Sequence, residues 1–230
     1  MGTKDGAAFI GEQLESILAQ LTGNDEVIIA DDCSSDDTLK VIRSFGDPRV
    51  RILESPAERG ICRTFQASLM ASRGEFIFLA DQDDVWLPEK VSIMKTALAE
   101  YDLVVSDCRL VDDTLRIQSG SFYDKNGSGR GLFKNLVKNS YMGCCMAFTR
   151  KLMDRALPFP VDVPIHDFWI GLIGELYFNV LFLPDVLVLH RRHGSNASTS
   201  GEASHRSINE KLLYRYQVVK NLFIHKYYAG

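Results

Sequence analysis

Apolar residues at Phe9, Leu14, Ile17, Leu18 and Leu21 recur with helical spacing until Gly23-Asn24 breaks the pattern, which predicts an amphipathic first helix with one face on a core. Val27-Ile28-Ile29-Ala30 follows as an unbroken apolar run, the pattern of a strand covered on both sides. Asp36 or Asp37 can cap a second helix reaching about Phe45, because a carboxylate accepts bonds that the first-turn N–H groups otherwise leave unmade. Val50-Arg51-Ile52-Leu53 predicts a strand, Arg59 to Ser72 a helix, and residues 75–80 another strand. Pro88 stands where proline is tolerated, in the first turn of a helix running to about Glu100. Leu103-Val104-Val105-Ser106 then predicts a strand that ends at Asp107. Strands alternating with helices imply an α/β fold with a doubly wound, mostly parallel sheet.

Beyond Asp107 the alternation loosens. A polar, glycine-containing stretch from Asp112 to Gly131 leads to a short helix near Leu132 to Val137 and an apolar strand at Gly143 to Phe148, which should form the other wall of a cleft. Tyr177 to His190 is the most apolar segment, but Asn179, Pro184 and Asp185 interrupt it, so it predicts two core strands joined by a turn and not a bilayer helix. Phe168 to Tyr177 predicts a helix, Gly194 to Ser204 a mobile loop, and Ile208 to Ile224 a long terminal helix packed on its own domain. The start is unusual. Nucleotide-binding units of this kind open with a strand, whereas here a helix begins within about ten residues of Met1. The first strand is therefore expected to be missing, with Met1 an internal methionine of a longer product or the chain truncated.

Composition changes this picture little. The 230 residues are 46% apolar and 24% charged, ordinary for a globular domain with one substantial core. A formal net charge of −4 gives no general attraction to nucleic acid, which is not expected as a partner. Cys33, Cys62, Cys108, Cys144 and Cys145 are odd in number and lack paired zinc spacing, so they read as reduced thiols of a cytoplasmic protein. No signal-peptide pattern or membrane-length apolar run is present in the sequence.

The chemistry concentrates at Asp81-Gln82-Asp83-Asp84, directly after Phe76-Ile77-Phe78-Leu79-Ala80 and before Val85-Trp86-Leu87-Pro88. Ligands of parallel sheets bind outside the carboxyl ends of the strands, so these carboxylates stand at a candidate site edge. Three carboxylates in four residues repel one another unless a cation joins them, and hard oxygen ligands suit Mg²⁺ or Mn²⁺ carrying a phosphorylated substrate. Asp31 and Asp32 form a matching acidic end after the strand at 27–30. Capping of the next helix accounts for Ser35 or Asp36, but two adjacent carboxylates at a strand end exceed what capping needs, which favours a ligand-binding role for Asp32. Asp167 opens an apolar helix and can be a simple N-cap, where the helix start would stabilise its charge and lower its basicity.

Val27-Ile28-Ile29-Ala30-Asp31-Asp32-Cys33-Ser34-Ser35-Asp36-Asp37-Thr38 resembles the "VDD-x-S-x-D-x-T" segment of the family 2 inverting glycosyltransferases with the GT-A fold. The acidic cluster resembles that family's D-x-D motif. The likeness continues through Gly60, Gly74 to Lys90, Gly143 to Arg150, His166-Asp167-Phe168-Trp169 and His190-Arg191-Arg192-His193-Gly194. The combination of Asp-Gln-Asp-Asp-Val-Trp with His-Asp-x-Trp is most similar to the bacterial rhamnosyltransferase-like branch.

The resemblance implies a single GT-A domain over 1–230, with a nucleotide-sugar half at 1–107, an acceptor and catalytic half at 108–205 and a terminal helix at 206–230. It implies that Thr3, Asp31, Asp32 and Asp81 hold the donor, that Asp83 and His193 ligate Mn²⁺ or Mg²⁺, that Arg191 meets the diphosphate, and that Asp167 is the general base. Trp169 is the better aromatic for the acceptor site and Trp86 the better core residue. The implied partners are a dTDP- or UDP-sugar, rhamnose among them, and a saccharide or lipid-linked saccharide acceptor for bacterial surface polysaccharide such as O-antigen. Peripheral association with the inner face of the membrane would come through that acceptor. Departures stand at Lys4, where relatives carry an aromatic residue against the base, and at Glu58-Arg59 and Thr64, where they carry asparagines. Two other readings remain: a truncated or degenerate domain that binds without turnover, and a sugar-phosphate nucleotidyltransferase.

Overall fold

The computed structural model describes residues 1–54, 60–163, 165–194 and 208–228. Its first half builds as the periodicity predicts. β1 (Gly2–Thr3), α1 (Ile10–Leu18), β2 (Val27–Asp31), α2 (Thr38–Ser44), β3 (Val50–Glu54) and α3 (Ile61–Ala71) alternate, and the three strands form a parallel sheet in the order β1-β2-β3. Every residue of β2 is buried, as an apolar run covered on both faces must be. Ile10, Leu14 and Ile17 of α1 are buried with it. Asp36 caps α2 by accepting from both the N–H and the hydroxyl of Thr38, which satisfies an orphan donor of the first turn.

The second sheet is mixed, not mostly parallel. It runs β4 (Phe76–Phe78), β8 (Met146–Thr149), β6 (Leu103–Val111), β9 (Val180–Arg191), β5 (Val85–Trp86), with β7 (Ile117–Ser121) paired to β6. Only β6 and β9 are parallel in it. Between its strands lie α4 (Lys90–Leu98), α5 (Phe122–Asn126), α6 (Leu132–Val137), α7 (Arg150–Ala156) and α8 (His166–Tyr177), and α9 (Ile208–Tyr228) closes the chain.

Three expectations need correction here. β6 does not stop at Asp107 but continues to Val111 and folds back as β7, because Asp107 is buried and accepts the N–H groups of Cys108 and Tyr123. Tyr177 to His190 is not two strands: β9 is continuous, and Pro184-Asp185 is absorbed as a bulge where pairing with β6 shifts register. Gly143 to Cys145 is a short 3-10 turn ahead of β8. The Gly194 to Ser204 loop lies, apart from Gly194, outside the described residues.

The place of the expected missing strand is part-filled. Gly2 and Thr3 pair with Ala30 and Asp31, and the Met1 ammonium donates to the Ile28 carbonyl at 2.8 Å. Among the described residues, β2 and β4 belong to separate sheets, and a cavity of about 490 Å³ lined by Met1, Val27, Ile28, Phe76, Ile77 and Leu79 opens between them. One large cluster of buried side chains nevertheless joins the halves, from Ile29 and Phe65 to Leu103, Phe148 and Trp169. α9 packs onto it through Val218 and Leu222, in cis as expected.

Candidate active site

The site grows from the ends of β1, β2 and β4. At the end of β1, buried Thr3 donates its hydroxyl to Asp31 Oδ1 at 3.1 Å. Asp31 is itself buried and also accepts the N–H and hydroxyl of Ser34. Both side chains named as donor contacts are therefore spent on the turn after β2, where Cys33 takes φ +60°, a conformation that needs such support in a non-glycine residue. Asp32 differs. Its Oδ2 accepts the Gly60 N–H at 3.2 Å, while Oδ1 is buried with no protein partner, which leaves an acceptor open for a ligand donor. Lys4 Nζ donates to the Asp32 carbonyl at 3.0 Å.

Lys4 also joins this turn to the acidic cluster. Its N–H donates to Gln82 Oε1 at 2.8 Å, and Gln82 Nε2 donates back to the Lys4 carbonyl at 2.9 Å. Gly6 makes this possible, since a Cβ there would collide with the Gln82 amide. Gln13 of α1 donates to the Asp81 carbonyl at 3.0 Å. The loop after β4 is thus braced from two sides, by Lys4 and by Gln13, before its carboxylates do anything.

Those carboxylates divide into two layers. Asp84 is fully buried, and its Oδ1 accepts His190 Nδ1 at 2.8 Å and the Arg191 N–H at 3.0 Å. Burial alone would neutralise both groups, but each outweighs it for the other: Asp84 is held below the usual carboxylate range and His190 is raised to about 9. Asp83 turns the other way, with Oδ2 3.0 Å from His193 Nε2. His193 stacks on Phe9 at 4.6 Å between ring centroids. Burial, then Asp84, pushes Asp83 up; burial, then Asp84 and Asp83, pushes Asp81 up further. Added positive charge would offset this mutual repulsion.

Arg191 does not supply that charge to a diphosphate in this arrangement. Its guanidinium is 2% exposed, donates to the carbonyls of Asp83 and Asp113, pairs with Glu12 and lies 4.7 Å over Phe9. β9 carries it beneath the acidic loop, so it binds the loop's backbone. Trp169 is also corrected: it is 1% exposed and its indole N–H donates to the Ala156 carbonyl at 2.9 Å, which makes it a core residue like Trp86.

Asp167 stands in the first turn of α8. Its Oδ2 accepts the Gly143 N–H at 3.0 Å and its Oδ1 the Phe168 N–H at 2.6 Å. The helix start was expected to depress its basicity. Burial is the larger influence and outweighs both backbone bonds, lifting the carboxyl to about 6. Asp167 also adds, as the last of several influences, to the upward push on Asp81. His166 beside it is neutral, sandwiched against Phe65 at 3.9 Å with its pKa lowered to about 3 by burial and the Met1 amine.

A sequence model of glycosyl transferase family 2 matches residues 1–157, more than half of the chain. The protein belongs to glycosyl transferase family 2. It is 26% identical over 196 residues to the putative colanic acid biosynthesis glycosyl transferase WcaA of Escherichia coli, covering 81% of this chain and 69% of that protein. It is 25% identical over 172 residues to the E. coli UDP-Glc:alpha-D-GlcNAc-diphosphoundecaprenol beta-1,3-glucosyltransferase WfgD, covering 72% and 65%. The chain thus spans about two thirds of these relatives. Among solved structures it superposes on S. aureus TarS 1-349 in complex with UDP-GlcNAc with a TM-score of 0.68 at 17% identity, covering 97% of this chain and 64% of that one. Mycobacterium tuberculosis glucosyl-3-phosphoglycerate synthase, in complex with Mn²⁺, UDP and glucosyl-3-phosphoglycerate, gives 0.61 at 22%, covering 97% and 77%. At those identities the likeness establishes the fold, which is GT-A.

Within this family 2 domain, the donor set at the cluster's outer layer fits a hard divalent cation. Asp83 and His193 present a carboxylate oxygen and an imidazole nitrogen side by side, and the raised pKa values of Asp81 and Asp83 mark charge that a cation would relieve. Asp84, Cys144 and His190 also bring ligand atoms within 4.8 Å of one another. That set is wholly buried and contains a thiol, which suits softer ions. We read it as the support beneath the site. Sequence reasoning placed Asp84 and Gln82 in the acidic cluster without giving either a role, and it missed His190 and Gln13; for Asp84 the available signal was a third carboxylate where two serve the motif.

Proposed function

We propose that this domain transfers a sugar from a nucleotide-diphosphate donor to a saccharide acceptor with inversion at the anomeric carbon. The observation that carries the reading is an acidic loop after β4, in which Asp83 Oδ2 lies 3.0 Å from His193 Nε2 and the carboxyls of Asp81 and Asp83 are pushed up, together with a basic carboxylate, Asp167, at the start of α8. Asp32 Oδ1 accepts an N–H of the base, and Lys4, through Gln82, fixes the distance from that contact to the acidic loop. Asp83 and His193 would hold Mn²⁺ or Mg²⁺, which when bound neutralises charge on the departing diphosphate. Asp167 accepts the proton of the acceptor hydroxyl as its oxygen attacks, and a pKa near 6 leaves it largely ionised at neutral pH. Gly143, without a side chain, admits the acceptor beside Asp167.

The donor is a UDP- or dTDP-sugar, rhamnose included, and the acceptor a saccharide or lipid-linked saccharide of a bacterial surface polysaccharide. WfgD, whose name gives UDP-Glc and a diphosphoundecaprenol-linked sugar, supports that chemistry. Reaction would take place at the cytoplasmic face of the membrane. The test is transfer from UDP-glucose and dTDP-rhamnose to a diphosphoundecaprenol-linked GlcNAc with Mn²⁺, read by mass spectrometry of the lipid product, with Asp167→Asn as control. Product from one donor that the variant abolishes upholds the reading. Nucleotide binding without product from a folded chain favours the non-catalytic alternative.

A further inference from the structure

α9 is apolar on two opposite sides. Val218 and Leu222 face the core, while Leu213, Tyr216, Phe223 and Ile224 are all exposed and, at 100° per residue, fall on one outward face together with Lys220. α6 repeats the arrangement: Phe133 and Val137, one turn apart, are 82% and 71% exposed. The two helices meet where Arg215 donates to the carbonyls of Leu136 and Val137, so the exposed residues of both belong to one region of the surface. Large apolar side chains gathered in this way mark an interaction surface.

Charge identifies what it meets. Residues 125–138 hold Lys125, Arg130, Lys134 and Lys138 and no acidic residue, in a chain whose net charge is −4. All four cations are exposed, and α9 adds Arg215 and Lys220. Aromatic and aliphatic residues interleaved with lysines on helix faces are the composition that binds the interface of an anionic bilayer. No helix among the described residues is long and apolar enough to cross a membrane.

We propose that the outward faces of α6 and α9 form a docking surface that seats this domain on an anionic lipid bilayer. Phe133, Val137, Tyr216 and Phe223 enter the headgroup boundary, and Lys134, Lys138 and Lys220 meet lipid phosphates. The chain runs from α6 through Asn139 to Tyr141 directly into Gly143, which bonds Asp167. Glu175 of α8 ties the start of α6 and Tyr141 together by accepting from the Gly131 N–H and the Tyr141 hydroxyl. Docking there would hold the acceptor side of the site near the bilayer, the orientation a lipid-linked acceptor requires. That orientation rests on the reading given above; the surface itself does not.

Sedimentation of the full chain with phosphatidylcholine vesicles, and with vesicles in which roughly a third of the lipid is phosphatidylglycerol, tests it without nucleotide or sugar transfer. Binding to the anionic vesicles only is expected, weakened about fivefold for each of Lys134→Gln and Lys138→Gln and abolished in Phe133→Ser/Phe223→Ser. These residues are exposed, so the variants keep their melting temperature, which is recorded alongside. No binding by the wild type, or unchanged binding by the double variant, overturns the proposal. A concentration-dependent dimer that Phe133→Ser/Phe223→Ser dissolves would assign the surface to a second copy of this chain and overturn it equally.

Discussion

Lys4 and Gln82, 78 residues apart in sequence, hold each other by a reciprocal pair of backbone-to-amide hydrogen bonds of 2.8 and 2.9 Å. Through them the turn that carries Asp32 and the loop that carries Asp81 and Asp83 behave as one body. The two ends of a nucleotide-sugar, base and diphosphate, would meet those two groups, so the pair sets the length of the donor site.

Gln82→Ala removes both bonds. Each exposed bond contributes about 1 kcal/mol, so donor KM is expected to rise about tenfold with a smaller change in kcat. Steady-state kinetics at saturating acceptor checks this, and an effect confined to kcat would contradict the spacing role.

Asp167→Asn keeps the shape of the side chain and removes the base. Loss of kcat by about 10² to 10⁴ is expected, with nucleotide binding unchanged. Because Asp167 acts ionised and titrates at about 6, wild-type kcat/KM should rise with pH through about 6 and then level. A profile flat from pH 5 to 8 would remove Asp167 from proton transfer.

How much of this was legible in the sequence depended on how local each cause was. α6 was predicted at its observed bounds, 132–137, and β2 to within one residue, because periodicity and flanking glycines are read within a short window. The acidic loop was legible for the same reason. β9 was not, since only its pairing with β6 carries the strand across Pro184-Asp185. Arg191 was read as a phosphate ligand from its place after a strand, yet it is the last residue of β9 and buried against Glu12 and Asp83, partners about 110 to 180 residues away that no local pattern discloses. Trp169 was misjudged for a similar reason: nearness to Asp167 in sequence says nothing of which side of α8 it occupies. Asp167 itself was found, but its basicity was misjudged, because burial is a property of the assembled core.

Asp84→Ala leaves His190 buried at 5% exposure with its partner carboxylate gone. Removing one member of a buried pair typically costs about 3 to 5 kcal/mol. Urea unfolding should show that loss, and a change below about 1 kcal/mol would mean the pair contributes as little as a surface one.

The central claim is that Asp83 and His193 form a cation-dependent donor site, and calorimetric titration of UDP, dTDP and GDP into the chain with and without Mn²⁺ tests it most directly. The account predicts that UDP or dTDP binds with Mn²⁺, loses at least tenfold in affinity without it, about 1.4 kcal/mol, and does not bind detectably to a folded Asp83→Ala variant. Equal binding with and without Mn²⁺, or binding that survives in the variant, would contradict it.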